Sequence, residues 1–292
     1  MKEYLLKCDQ GNIAVYENGT GNIPLVLLHG GGLDSAMLSW REIMNSMPEQ
    51  YTVYAIDLLG YGKSDRPESM EGESFYPKHI SAVESVVDQL HLNKFVLSGL
   101  SMGGAISIGY TLKNPDKVIA LIPVDSWGLV SKMPMHSFYY WYVNTSLLKV
   151  SYSMFAKYRC MVKWSLKYSL IGDRSKISKT LIDEVFALCQ IPNPEKSMQD
   201  YQRSSLTKRG TIPDYTEQLK ELQMPVLFIN GEKDSFVKVK DVAKASRSVK
   251  NGRLYIMKGC KHWSQKERPE EYVEVIGTFI TELQDCVRQV SK

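Results

Sequence analysis

The sequence predicts an α/β fold: a mostly parallel sheet with helices on both faces, interrupted by an inserted, mainly helical segment. Three observations carry this. The apolar runs at 25–28, 53–56, 95–97 and 118–122 are unbroken rather than alternating, as strands covered on both faces require. Stretches with helical 3–4 spacing lie between them, and alternating strand and helix is the pattern of a parallel sheet. From Ser126 to Ser205 strand-like runs disappear, and the alternation resumes at Pro225.

Residues 3–8 and 12–17 read as two short strands turned at Gly11. Ile80, Val83, Val87 and Leu90 mark a helix after Pro77; Ala105, Ile108 and Leu112 mark another, stopped by Asn114-Pro115. Beyond the insertion come a strand at 226–229, a helix near 239–248 and a strand at 253–257. A closing helix starts at Pro269 and carries Tyr272, Ile276, Phe279, Ile280 and Leu283. The expected organisation is one α/β core, residues 1–125 and 206–292, with residues 126–205 inserted as a helical unit.

Composition narrows the class. At 292 residues and 43% hydrophobic the chain has enough apolar surface to fold, which excludes disorder, and its glycines and prolines follow no fibrous period. The longest apolar stretch, Val118 to Val124, has seven residues counting Pro123, against about 20 for a membrane-spanning helix. The first ten residues lack the apolar core and cleavage site of a signal peptide. Five scattered cysteines (8, 160, 189, 260, 286) suit reduced thiols, so a cytoplasmic location is expected. A net charge of +4 gives no ground for nucleic-acid binding.

The chemistry centres on Gly99-Leu100-Ser101-Met102-Gly103, a Gly-x-Ser-x-Gly run placed between a strand and a helix. A serine on so sharp a turn takes a strained backbone, and small neighbours let adjoining chain pass close. Its hydroxyl needs a base, and the base needs an acid to hold one tautomer. Of the five histidines, His79 and His91 read as exposed helix-end residues, His136 lies in the insertion, and His29 follows a strand. His262 sits in the loop between the last strand and the last helix, where it can reach the carboxyl edge of a parallel sheet. Two acids follow strands, Asp125 and Asp234, and either keeps the order serine, acid, histidine.

Together these residues resemble the α/β-hydrolase superfamily, and the likeness covers nearly the whole chain. His29-Gly30-Gly31-Gly32, Asp57-Leu58-Leu59-Gly60-Tyr61-Gly62-Lys63-Ser64, Gly231-Glu232-Lys233-Asp234 and Gly259-Cys260-Lys261-His262 are similar to four of its loops. The resemblance implies Ser101 as nucleophile, His262 as base and Asp234 rather than Asp125 as the acid. It implies that the amides of Met102 and of Gly31 (or Gly32) stabilise an oxyanion, each for roughly 3–4 kcal/mol. His29 is implied to hold its loop, and residues 126–205 to be the cap of the lidded members. Lys261 departs from the pattern, which commonly has glycine before the histidine. Gly62-Lys63-Ser64 echoes a phosphate loop, but Asp57 stands where that loop needs glycine. No cofactor is expected, and no metal, since no His/Cys set has ligand spacing.

The expected activity is hydrolysis of an ester, thioester or lactone of a small, partly apolar substrate through an acyl-enzyme. Carbon–carbon bond hydrolysis of vinylogous ketoacids on the same triad is the alternative. A ligand-binding protein on a hydrolase fold is the rival of another class, and its mark would be a lost triad member. Residues 126–205 carry eleven Lys and Arg against five Asp and Glu, whereas the rest of the chain carries 25 against 27. They also hold 13 of the 30 aromatics. The reading preferred for this cap is that its aromatics pack on the core while its lysines stay solvated. Attraction of an anionic, ring-bearing substrate is a second reading, and docking on an anionic membrane a third; membrane contact is not expected. The sequence is silent on oligomeric state.

Overall fold

Eight strands form one sheet in the computed structural model, which describes residues 1–68, 70–191 and 194–290. They are β1 (Lys2–Cys8), β2 (Gly11–Asn18), β3 (Ile23–Leu28), β4 (Tyr51–Ile56), β5 (Phe95–Leu100), β6 (Val118–Val124), β7 (Val226–Gly231) and β8 (Gly252–Met257). Their order is β1-β2-β4-β3-β5-β6-β7-β8. β1–β2 and β2–β4 pair antiparallel and every later pair is parallel.

The helices in chain order are α1 (Ala36–Ser46), α2 (Phe75–Gln89), α3 (Met102–Lys113), α4 (His136–Val143), α5 (Ser146–Lys157) and α6 (Arg159–Ser165). After them come α7 (Lys179–Leu188), α8 (Pro194–Ser205), α9 (Val239–Ser248), α10 (Ser264–Glu267) and α11 (Pro269–Val290). Two core clusters, one on each face of the sheet, explain the unbroken apolar runs. In β3, Val26 and Leu28 join the cluster that also holds residues of α2, α3 and α9. Leu25 and Leu27 join the other, with Trp40 and Ile43 of α1 and Tyr272 and Ile276 of α11. All four strand side chains are fully buried, each contributing roughly 1.5–3 kcal/mol.

Three local readings needed adjustment. α1 was not anticipated; Ser35 caps it by accepting the Leu38 amide at 3.2 Å. α2 begins at Phe75, because Pro77 falls in the first turn, where its missing N–H costs nothing. β5 runs on to Leu100, and the Ser98 hydroxyl within it is satisfied by Ile122 O and Tyr272 Oη.

α4 to α8 all lie between β6 and β7, in the stretch expected to form the cap, and 166–170 adds one π-turn there. The expectation that the cap's aromatics pack on the core holds for only some of them. Tyr201 packs against the core cluster of α2 and α3, and Phe155 against that of α1 and α11. Phe138, Tyr139, Trp141, Trp164 and Tyr168 are instead exposed. α5 shows the reason: it is apolar on two sides, Leu148 facing in and Leu147, Val150 and Met154 facing out, and only one side can meet the core.

β3 has β4 on one side and β5 on the other, so the connections leaving β3 and β5 diverge there. A crevice forms outside the carboxyl ends of strands at such a switch point. The loops that open into it carry His29 to Gly32 and Ser101.

Candidate active site

Ser101 links β5 to α3 with φ 51° and ψ −112°, a region that costs a non-glycine residue about 1–3 kcal/mol. Its backbone is pinned on both sides: its amide donates to Val124 O at 2.9 Å, and its carbonyl accepts from Trp127 and Ala105 at 3.1 Å. The flanking glycines are sterically required. A Cβ on Gly99 would run into the Gly103 carbonyl, and one on Gly103 into the carbonyls of Leu28 and His29.

His262 Nε2 lies 3.0 Å from Ser101 Oγ, and His262 Nδ1 lies 2.8 Å from Asp234 Oδ2. All three side chains are buried. With Nδ1–H donating to the carboxylate, Nε2 is left to accept from the serine hydroxyl. The second oxygen of Asp234 accepts the amides of Phe236 at 2.7 Å and Val237 at 3.1 Å, which fixes the carboxylate in place. Burial alone would raise the Asp234 pKa, but the His262 charge and hydrogen bonds hold it below the usual carboxylate value. Burial likewise works against the His262 cation, yet Asp234 outweighs it and the imidazole pKa stands above 6.5. The Phe236 ring rests edge-on against the imidazole, 4.9 Å between centroids.

Asp125, the other acid open in the sequence, does not reach the histidine's donor. It accepts the Gly231 amide at 2.7 Å and the Ser264 hydroxyl at 2.6 Å. Burial, then the nearby Asp234 charge, pushes its pKa well above the ordinary range. Asp125, Asp234 and His262 bring three possible ligand atoms within 4.8 Å of one another, but each group is engaged in the hydrogen bonds just given.

The loop after β3 is braced from below. His29 Nε2 accepts the Leu58 amide at 3.0 Å and its Nδ1 lies 2.7 Å from Gly30 O, which is the loop-holding role expected of it. Asp34, fully buried, accepts from the Gly30 amide and the Ser39 hydroxyl. Asp57 accepts the amides of Ala36 and Lys63, so its glycine-rich loop serves as a brace for α1. Among the described residues, neither the Met102 amide nor the Gly31 amide donates to a protein acceptor, and the Tyr61 hydroxyl lies near the Gly32 amide. Met102 and Gly31 (or Gly32) therefore stand beside Ser101 with N–H groups that no protein acceptor among the described residues takes.

The remaining histidines are structural in their surroundings. His136 is buried with Nε2 2.7 Å from Thr207 O, and His91 is exposed with a positive φ of 55°. His79 corrects the expectation: it is fully buried within α2 beside Phe75, and neither ring nitrogen has a partner among the described residues. The free thiols Cys8, Cys160, Cys189 and Cys260 fit reduced cysteines, and the Cys286 side chain lies outside the described residues.

Sequence reasoning missed the tyrosines that close the site. The Tyr201 ring of α8 lies so near Gly31 that a Cβ there would stand 2.7 Å from it, and its hydroxyl lies near that of Ser101. Burial raises the Tyr201 hydroxyl to about 12 and moves Tyr61 and Tyr152 upward too, so all three are neutral donors. The aromatic richness of the cap was visible, but no spacing showed which rings turn inward. A cavity of about 420 Å³ is lined by Gly60, Tyr61, Met70 and Phe75 with Lys196 and Ser197 of α8, and no triad residue lines it.

The sheet order, the serine elbow and the loop histidine define a class. The family model for the alpha/beta hydrolase fold matches residues 23–269, and the chain belongs to that family as a hydrolase. It is similar to 2-hydroxy-6-oxo-6-(2'-aminophenyl)hexa-2,4-dienoic acid hydrolase of Metapseudomonas resinovorans, with 24% identity over 93% of this chain and 88% of that one. It is 27% identical to 2-hydroxy-6-oxononadienedioate/2-hydroxy-6-oxononatrienedioate hydrolase of Escherichia coli K12, over 90% of this chain and 88% of that protein. Among solved structures it shares its fold with a meta-cleavage product hydrolase from Pseudomonas fluorescens IP01 (TM-score 0.76, 19% identity, 97% and 98% of the two chains). The carboxylesterase CesB of Bacillus subtilis has the same fold (TM-score 0.75, 22% identity, 96% and 91%).

Proposed function

We propose that this protein cleaves a carbon–carbon bond in a vinylogous ketoacid, with Ser101 as nucleophile, His262 as general base and Asp234 as its orienting acid. The amides of Met102 and Gly31 are the oxyanion donors, and residues 126–205 are the cap that encloses the substrate. One observation carries the choice of bond: three relatives that align along nine-tenths of the chain are named as hydrolases of 2-hydroxy-6-oxo acids. This reading displaces ester cleavage, which the sequence alone had put first.

The chemistry asks for what this site holds. Addition of the Ser101 oxygen to the 6-oxo carbon places negative charge on its oxygen, where two N–H groups meet it. The bond from C5 to C6 breaks with its electron pair passing to the conjugated 2-oxo acid, once C5 has gained a proton. The acyl group stays on Ser101 until water, deprotonated by His262, releases it. The neutral hydroxyls of Tyr61, Tyr152 and Tyr201 supply hydrogen bonds for the enol and carboxylate oxygens without adding a charge.

A second reading keeps a specific observation on its side. The side chains nearest Gly31 and Gly32 are uncharged, Tyr201 beside the one and Met198 and Tyr152 beside the other, while Lys157 and Lys163 of the cap are exposed. An uncharged ester fits such surroundings. Turnover of a 2-hydroxy-6-oxo-hexa-2,4-dienoate, followed by loss of its conjugated absorbance, decides between them against p-nitrophenyl esters of two to eight carbons. The first reading expects kcat/KM at least tenfold higher for the dienoate and no turnover by Ser101→Ala. Hydrolysis of the esters alone would move the protein to the esterases.

A further inference from the structure

We infer that the outer face of the cap docks on an anionic lipid surface. The face is built by α4, α5, α6 and the turn at 166–170, which follow one another and pack side by side. Trp141 and Trp164 are 53% and 55% exposed, and Phe138, Val150 and Tyr168 about as much. A soluble surface scatters such residues singly. Here they gather on consecutive helices, and α5 turns Leu147, Val150 and Met154 outward at spacings of three and four, one stripe of an amphipathic helix facing away from the core.

Charge decides what covers this face. From Ser126 to Gly172 there is no Asp or Glu, while Lys132, Lys149, Lys157, Arg159, Lys163 and Lys167 all fall within it. Lys149 and Arg159 pair with Glu195 and Asp183 of neighbouring helices. Among the described residues no carboxylate pairs with Lys157, Lys163 or Lys167; the ammonium of Lys157 lies over the Tyr158 ring and that of Lys167 over the Tyr168 ring. A second copy of the chain meeting it with the same face about a two-fold axis would oppose like charges. An anionic bilayer instead takes the tryptophan and tyrosine rings at headgroup level and the lysines against its phosphates. The same face reaches the chemistry, because Lys261, next to His262, donates to the carbonyls of Lys167 and Tyr168. A docked cap is therefore fastened directly to the loop that carries His262.

Co-sedimentation of the full chain with sucrose-loaded vesicles tests this, using phosphatidylcholine alone and phosphatidylcholine with about a third phosphatidylglycerol. Binding is expected on the anionic vesicles, with a blue shift of tryptophan emission, and at least tenfold weaker binding on the neutral ones. The combined Lys157→Gln, Lys163→Gln and Lys167→Gln variant should lose roughly a hundredfold in partitioning. Trp141→Ser with Trp164→Ser should lose both binding and the blue shift. All five positions are at the surface, so unchanged circular dichroism and Tm are expected as the check on folding. No sedimentation with anionic vesicles at low salt, or equal sedimentation of the lysine variant, overturns the inference. So does a dimer, seen by sedimentation velocity, that Trp141→Ser with Trp164→Ser dissociates, since the face would then bind a second copy.

Discussion

The carboxylate of Asp125 accepts the Ser264 hydroxyl at 2.6 Å, two residues beyond His262 in the chain. Asp125 thus anchors the loop that carries the histidine, while Asp234 alone holds the imidazole. The two acids differ in charge as well. Burial and the Asp234 charge favour the protonated form of Asp125, and the His262 cation favours the ionised form of Asp234.

Asparagine discriminates these roles. Asn mimics a neutral acid, so Asp125→Asn should lower kcat/KM less than tenfold. Asp234→Asn removes the charge that orients His262 and should cost about four orders of magnitude, the scale known for the buried acid of a serine triad. The pH profile supplies the second readout. The base must be neutral, so kcat/KM falls as pH drops through the His262 pKa, which Asp234 places above 6.5. With the opposing charge gone, the residual limb should move to lower pH. An unmoved limb, or the reverse ranking of the two variants, would make Asp125 the acid.

Ser101 should be the sole serine labelled by a fluorophosphonate probe, since among the described residues it alone has a histidine nitrogen at 3.0 Å in the elbow geometry. Mass spectrometry of the labelled peptide locates the adduct. Labelling of Ser101→Ala protein at the wild-type level would remove the nucleophile from the scheme.

His79 makes a prediction about stability. Burial without a hydrogen-bond partner lowers its pKa to about 3, against about 6.5 in the unfolded chain. As pH falls below 6.5 the unfolded state takes a proton that the folded state refuses, so stability is lost in that direction. Between pH 7 and pH 5 the loss should reach about 2 kcal/mol from this residue. Urea unfolding of wild type and His79→Leu at both pH values isolates it, because the His262 contribution is common to both proteins. Equal pH dependence of the two would mean that His79 is solvated or hydrogen-bonded in solution.

The sheet was legible because unbroken apolar runs have one physical cause, burial on both faces. Ser101 was legible because a strained turn needs Gly99 and Gly103, and His262 because its loop lies at the carboxyl edge. Asp234 and Asp125 could not be separated by such reasoning, since both follow adjacent parallel strands; only side-chain direction tells them apart. His79 was misread because a histidine inside an amphipathic helix looks the same in sequence whether it faces water or the core. The cap was least legible. Tyr201 and Trp141 are chemically alike, yet one closes the site and the other faces solvent, and that depends on how α4, α5 and α8 pack.

Lys261 provides the last prediction, from the position where the sequence departs from its family's usual glycine. Its ammonium donates to Lys167 O at 2.7 Å and Tyr168 O at 3.1 Å, the carbonyls of the π-turn in the cap. The same junction is held by Trp263 N to Leu170 O and by Glu267, which accepts the amides of Gly172 and Asp173. Lys261 is therefore one of several fastenings between cap and catalytic loop, and a partly exposed one. A hydrogen bond from a charged donor is worth about 1.5–3 kcal/mol, and solvent screening reduces that here to about 1 kcal/mol. Lys261→Ala should then raise hydrogen exchange of the 166–170 amides about fivefold and raise KM severalfold. It should leave kcat within about twofold, because no bond among Ser101, His262 and Asp234 involves the Lys261 side chain. Exchange unchanged by Lys261→Ala would assign the cap's position to Glu267 and Trp263, whereas a large fall in kcat with KM unchanged would mean that Lys261 sets the orientation of His262 itself.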